Sequence, residues 1–273
     1  MLNLLEDYRC RSLPEWGDFT TNPNLRRKVD ETGCFLPYFG NTLVFLLDEK
    51  TKLTLRDVQN RLHSAAGEML SEPLAPETFH MTLHDLVNAD RWSEALATEI
   101  VRTGEAVREH MEVFRNLPPL KMRATWLFNM VCTSIVLGLE PADGESYGQL
   151  DWMYRQLERV VPLGYDLTPH ITMAYFRPGT YSRETLSRLR QALGPVELEI
   201  ELRMENLVYQ TFEDMNHYLQ PVSITSSPGI TIPTSAASST PMPSSPQVRV
   251  SWAIICLPIA ATIRYAELMY LEI

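Results

Sequence analysis

One short pattern, met twice, restricts this chain more than any other feature. Histidine, apolar residue, threonine, apolar residue stands at His80-Met81-Thr82-Leu83 and again at His170-Ile171-Thr172-Met173. Along an extended strand the side chains alternate between two faces. His80 and Thr82 therefore share one face, as do His170 and Thr172, while their apolar partners point into a core. Each copy presents an imidazole beside a hydroxyl, which is useful only where that face lines a cleft.

The elements around the two copies repeat in the same order. In the first half, Thr42–Leu47 reads as a buried strand opened by a turn at Gly40-Asn41. Leu55, Val58, Leu62, Ala66 and Met69 recur at helical spacing from a Thr54 cap, and Pro73 and Pro76 require that helix to end near Ser71. The His80 strand follows, then a helical pattern over Arg91–Phe114 and a strand over Lys121–Met130. In the second half the order is a strand at Ser134–Leu139, a helix at Tyr147–Val161, the strand His170–Phe176, a helix at Ser182–Leu193, and a strand over Val196–Gln210. In that last strand apolar residues alternate with Glu197, Glu199, Glu201 and Arg203, which marks one wet face. The pattern predicts an α+β fold of duplicated β-α-β-α-β units, one lobe over 41–130 and the other over 134–210. A pseudo-twofold axis between them brings the two His-x-Thr strands across a central groove.

Outside these units, residues 1–40 show no sustained period and read as an irregular arm on the 41–220 domain. Residues 221–247 are rich in Ser, Thr and Pro and predict a disordered linker. Residues 248–273 are apolar again, but the uncharged run from Ser251 to Ile263 falls short of the roughly 20 residues of a membrane span and is broken by Pro258. A segment that docks on the domain, or an atypical terminus foreign to the fold, is expected there. The third functional class weighed, a tethered or partner-bound interaction protein, would rest on this segment alone.

Charge and cysteine usage narrow the function. With 24 Lys+Arg against 34 Asp+Glu the net charge is −10, which argues against tight binding to long nucleic acid and leaves a small or terminal phosphate. Cys10, Cys34, Cys132 and Cys256 lie far apart, with neither zinc-ligand spacing nor a disulfide framework. The first twenty residues contain Glu6, Asp7, Arg9 and Arg11 and no apolar signal core, so a cytoplasmic monomer is the expectation.

Two imidazoles and two hydroxyls facing one another can cleave a phosphodiester unaided. One ring takes a proton from the attacking oxygen, the other gives one to the leaving oxygen, and the hydroxyls bond the nonbridging oxygens. His84, two places after Thr82, reads as a hydrogen bonder at the cleft edge. A His80/His84 metal pair would lack a carboxylate, since alternation turns Asp85 away, so neither metal nor cofactor is expected. Alternation puts Phe176 on the face of His170 and Tyr175 on the other, which makes Phe176 the residue to stack on a base. Arg123 and Arg177 are the candidate phosphate contacts. His63, His110 and His217 carry no assigned role.

Paired His-x-Thr motifs on equivalent strands of a duplicated α/β unit resemble the 2H phosphoesterase superfamily, which includes RNA and nucleotide cyclic phosphodiesterases and the 2′-5′ RNA ligases. The stretches Gly33–Thr42 and Thr78-Phe79-His80-Met81-Thr82 more narrowly resemble an uncharacterised microbial branch of it. The resemblance spans about residues 40–218. It implies a bilobal fold around a groove, and His80, Thr82, His170 and Thr172 as the catalytic tetrad. It implies a metal-independent hydrolase of a cyclic or 2′-linked nucleotide or RNA-end phosphodiester. The competing expectation is a non-catalytic protein that binds a nucleotide or RNA end on the same fold.

Overall fold

The computed structural model describes residues 13, 14 and 17–220. The expected linker and apolar terminus, 221–247 and 248–273, lie outside the described residues. The strands are β1 (Phe19–Thr20), β2 (Phe39–Leu46), β3 (His80–Ala89), β4 (Leu120–Met130), β5 (Ser134–Pro141), β6 (His170–Tyr175), β7 (Thr180–Tyr181), β8 (Pro195–Leu202), β9 (Leu207–Phe212) and β10 (Tyr218–Leu219). Helices α1 (Glu49–Ala66), α2 (Glu94–Phe114), α3 (Gly144–Glu158) and α4 (Arg183–Ala192) separate them. The class is α+β. Eight strands form one antiparallel sheet in the order β10-β9-β2-β3-β6-β5-β4-β8, and β1 pairs with β7 apart from it. Among the described residues no helix is long and apolar enough to cross a membrane.

Every helix starts on a side chain that accepts from a first-turn amide: Asp48 from Thr51, Ser93 from Leu96, Asp143 from Ser146 and Ser182 from Thr185. The first of these corrects the expected cap. Thr54 lies inside α1 and its hydroxyl donates back to Lys50 O at 3.2 Å. Gly40-Asn41 is likewise not a turn but the start of β2. A Cβ on Gly40 would stand 2.3 Å from Val87 O and 2.5 Å from the Phe212 ring, so glycine is required by close packing. Beside it the Asn41 amide donates to Thr103 Oγ1 at 2.9 Å and to the Tyr209 hydroxyl at 2.8 Å, and it accepts from Val87 N–H at 3.0 Å.

The expected division into lobes 41–130 and 134–210 does not describe the strand pairing. β4, the last strand of the first half, pairs with β5 and β8 of the second half. A three-residue connection from Met130 to Ser134 forces this, because strands joined so tightly pair with each other. The predicted strand 196–210 is in fact two. A 3₁₀ turn at Met204–Asn206 breaks it, and β9 crosses to pair with β2 while β8 stays beside β4. The last strand of each half is thus given to the other, and β3 and β6 meet in the middle at a single registered pair, Met81 opposite Ile171.

The two central strands are held alike. In β2, Leu46 stands opposite His80 and Val44 opposite Thr82; in β5, Gly138 stands opposite His170 and Val136 opposite Thr172. Each ladder then slips by one residue, which leaves Leu83 in β3 and Met173 in β6 with no cross-strand partner. These are β-bulges at equivalent places, and a bulge re-aims every side chain beyond it. Met81, Leu83, Ile171 and Met173 are fully buried with residues of α1, α3 and α4. His80, Thr82, His170 and Thr172 stay half-buried on the other face.

Candidate active site

The four motif residues line one cavity of about 250 Å³ where β3 and β6 adjoin. Continuing the Met81–Ile171 register by one residue each way sets His80 opposite Thr172 and Thr82 opposite His170. In strand register the tetrad is therefore crossed, each histidine's position falling opposite the other copy's threonine. A larger surface depression of about 490 Å³ between α1 and the start of β8 is lined by Lys50, Arg61 and Glu197 among others. It holds none of the four motif residues, which all line the smaller cavity.

Both rings are held in the same way. His80 Nδ1 lies 2.7 Å from Thr78 O, and His170 Nδ1 lies 2.7 Å from Thr168 O. A carbonyl only accepts, so each Nδ1 carries a proton and each Nε2 keeps its lone pair for exchange. The shared pattern is thus longer than His-x-Thr. It is Thr-x-His-apolar-Thr, with the first threonine's carbonyl fixing the tautomer. Burial lowers the pKa of both rings, that of His80 to about 4; the carbonyl bonds and the Asp85 carboxylate act in the opposite direction on each. A proton on His170 lowers His80 further. Both rings are therefore neutral at neutral pH, and a phosphate anion beside them favours returning a proton to one.

The bulges decide what stands next to the tetrad, and here alternation misleads. Beyond Leu83, His84 is drawn in to 1% exposure at the cavity wall, and Asp85 lines the same cavity but stays exposed. Beyond Met173, Tyr175 lines the groove while Phe176 is fully buried 4.9 Å from the Phe19 ring. Phe176 is therefore a core residue and not a stacking platform. His84 is not a free hydrogen bonder either. Its Nε2 donates to Glu158 Oε1 at 3.1 Å, and its ring lies 5.3 Å from that of Tyr154. Glu158 also accepts from Leu163 N–H at 2.9 Å, so the pair anchors the loop that leads from α3 to Thr168.

Neither expected arginine reaches the groove. Arg123 lies on β4 at 3.6 Å from Glu140, and Arg177 donates through Nε to Glu31 O at 2.7 Å. The cation that does line the cavity is Lys28, whose ammonium stands 4.7 Å from the Tyr38 ring centroid and 5.7 Å from that of Tyr175. It comes from the stretch expected to be an irregular arm, which hid it from periodicity. Aromatic rings run on from Tyr38: it stacks on Phe212 at 6.2 Å, Phe212 meets Tyr218 at 5.5 Å, and Tyr218 meets the His80 ring edge-on at 5.0 Å. At the His170 end Tyr165 is 46% exposed, and its hydroxyl donates to Asp85 Oδ2 at 3.5 Å. Among the described residues no three His, Cys, Asp or Glu side chains gather as a metal-holding group.

Residues 28–132 match the family 2H-phosphodiest, described as a domain of unknown function (DUF1868). That span holds the first motif and ends before the second. Among solved structures, the conserved protein of unknown function ATU0111 from Agrobacterium tumefaciens is 22% identical, with 75% of this chain and 93% of that chain covered and a TM-score of 0.55; the likeness is one of fold. Escherichia coli LigT in its apo form is 14% identical over 68% of this chain and 96% of that one, with a TM-score of 0.41. TT0787 of Thermus thermophilus is 15% identical over 66% and 94%, with a TM-score of 0.40. No curated protein matches the chain.

Proposed function

Starting from a chain that carries a 2H-phosphodiest domain across residues 28–132, we propose a hydrolase that opens a cyclic or 2′-linked phosphodiester of a nucleotide or RNA end. Its base is His80 and its acid is His170, and no metal takes part. The observation that carries this reading is the twin anchoring of the rings. Each Nδ1–H is spent on a carbonyl two residues upstream, so each imidazole keeps Nε2 for proton exchange, with the other copy's threonine opposite it in strand register.

The two halves, related by an approximate twofold about the β3–β6 seam, set the rings on opposite sides of one phosphorus. His80 Nε2 takes a proton from water as the water oxygen bonds to phosphorus. The bond from phosphorus to the leaving ribose oxygen breaks, and that oxygen takes the proton from His170 Nε2. Thr82 and Thr172 donate to the nonbridging oxygens as their charge grows. His80 is left protonated and His170 neutral, and exchange with solvent restores both. His170 is assigned the acid because burial takes His80 down to about 4 and a proton on His170 lowers His80 further, which leaves His80 the neutral partner. The cavity of about 250 Å³ lies below the roughly 300–1,000 Å³ of drug-sized sites, which suits one nucleotide or one chain end and not a length of strand.

The test is hydrolysis by the purified protein, with chelator present, of 2′,3′-cyclic nucleotides and a 2′-5′-linked dinucleotide. Product from at least one supports the reading, and none from any opposes it. A second reading, nucleotide binding without turnover, is favoured by one observation: burial lowers both rings, so neither is charged at neutral pH to serve as the acid. Calorimetric binding with no product over long incubation would select it.

A further inference from the structure

The His170 end of the groove carries two groups that the acid-base mechanism does not use as contacts. Asp85 is exposed, lines the cavity, and has no cation within ion-pair distance among the described residues. Its neighbours are hydroxyls, Thr42 Oγ1 at 3.5 Å from Oδ1 and the Tyr165 hydroxyl at 3.5 Å from Oδ2, both long for hydrogen bonds. Thr42 Oγ1 makes its shorter contact elsewhere, with His84 O at 3.1 Å. The carboxylate thus keeps accepting capacity facing the cavity. Tyr165 is a large ring left 46% exposed, while its backbone is fixed because Tyr165 O accepts from the Tyr154 hydroxyl at 2.6 Å. Leu163 and Leu167 of the same loop add apolar wall to this end.

A rigidly held aromatic face with an unspent carboxylate at its edge suits a flat heterocycle that carries an N–H₂ group. The ring stacks or packs on Tyr165 and Leu167, and the amino group donates to Asp85. We infer that Asp85 and Tyr165 form the base subsite of this groove and select a nucleobase with an exocyclic amino group over one that presents a carbonyl there. This deepens the proposed function and rests on it for the nucleotide nature of the ligand. Cytosine and uracil make the cleanest contrast, since they are nearly the same shape and differ by amino against carbonyl at one position. A carboxylate accepts from the first and repels the second.

The experiment uses cytidine and uridine 2′,3′-cyclic phosphates. Their kcat/KM values are compared on the wild-type protein, and their Kd values on His80→Ala, where turnover does not intrude. A hydrogen bond to a charged acceptor predicts a preference for cytidine of about tenfold to a hundredfold in both readouts. In Asp85→Asn, which keeps the shape but offers a donor as well, the preference falls to about twofold or reverses. In Asp85→Glu the charge is retained and a cytidine preference persists. Tyr165→Leu weakens both ligands alike. If the wild-type protein hydrolyses neither compound, the proposed function is left to the other phosphodiesters tested, while the Kd ratio on His80→Ala still decides the subsite. Equal affinity for the two, no binding of either, or a ratio unchanged in Asp85→Asn overturns the subsite even where hydrolysis stands.

Discussion

The strand carrying His80 and the strand carrying His170 are the same for five residues and then part company. Both run Thr-x-His-apolar-Thr, both anchor Nδ1 on the leading threonine's carbonyl at 2.7 Å, and both slip by one residue just past the second threonine. After the slip the first copy continues His84-Asp85 and the second Ala174-Tyr175. What is common is what proton transfer needs on both sides of a phosphorus. What differs is the residue that each bulge turns onto the groove, a carboxylate at one end and a phenol at the other. The pair is not symmetric in charge either, because His80 is lowered to about 4 and a proton on His170 lowers it further, while Tyr218 meets the His80 ring edge-on.

Removing the common part should have the largest effect. His80→Ala and His170→Ala are each expected to lower kcat/KM by about 10²–10⁴-fold, the usual worth of a positioned acid or base. The double variant should fall little further, since each ring is useless without the other. Unequal losses, with one variant near wild type, would break the pairing. The second copy's bulge is tested by Phe176→Ala against Tyr175→Ala. Emptying a fully buried phenyl site costs about 3–5 kcal/mol, read as a fall in denaturation midpoint. Tyr175→Ala should instead raise KM with a much smaller change in stability. If the two results exchange, simple alternation describes the strand better than the bulge does.

The position where the copies differ carries a smaller, signed effect. Asp85 favours the charged form of His170, so Asp85→Asn lowers that ring's pKa further. Activity needs His170 protonated, so the alkaline limb of kcat/KM should move to lower pH. A shift to higher pH would contradict the assignment of acid and base. Smallest of all, Arg123→Ala and Arg177→Ala should change kcat/KM by less than about twofold, because their partners are Glu140 and Glu31 outside the groove. A loss above tenfold in either would place a phosphate contact where the geometry has none.

These contrasts also mark what the sequence could carry. The paired motifs, the helices and the central strands were legible, since each has a period that burial imposes on its residues. Gly40-Asn41 was not, because glycine is needed there for its missing Cβ and not for a turn. The strand exchange was half legible. Three residues between Met130 and Ser134 already required β4 and β5 to pair, but nothing in the alternation of 196–210 announces the 3₁₀ turn at Met204. The bulges had no local signature, since neither Leu83 nor Met173 is a glycine or proline. The unpaired residue just past each second threonine brought Asp85 and Tyr175 onto the groove and buried Phe176. A single-residue slip turns the side chains that follow it, so the placements of Asp85, Tyr175 and Phe176 failed together. Lys28 was missed for another reason: it lies in a stretch without regular structure, where only tertiary contact gives a residue its place.

The claim that two histidines act as one acid-base pair is tested most directly by the pH dependence of kcat/KM with chelator present. His80 must be neutral, and its pKa is down at about 4; His170 must be protonated, and burial holds its pKa below the usual 6.5. The account predicts a bell with its maximum between those values. It predicts loss of the acid limb in the residual activity of His80→Ala and of the alkaline limb in that of His170→Ala. A flat profile from pH 4 to 8, or one whose limbs survive both substitutions, would contradict it.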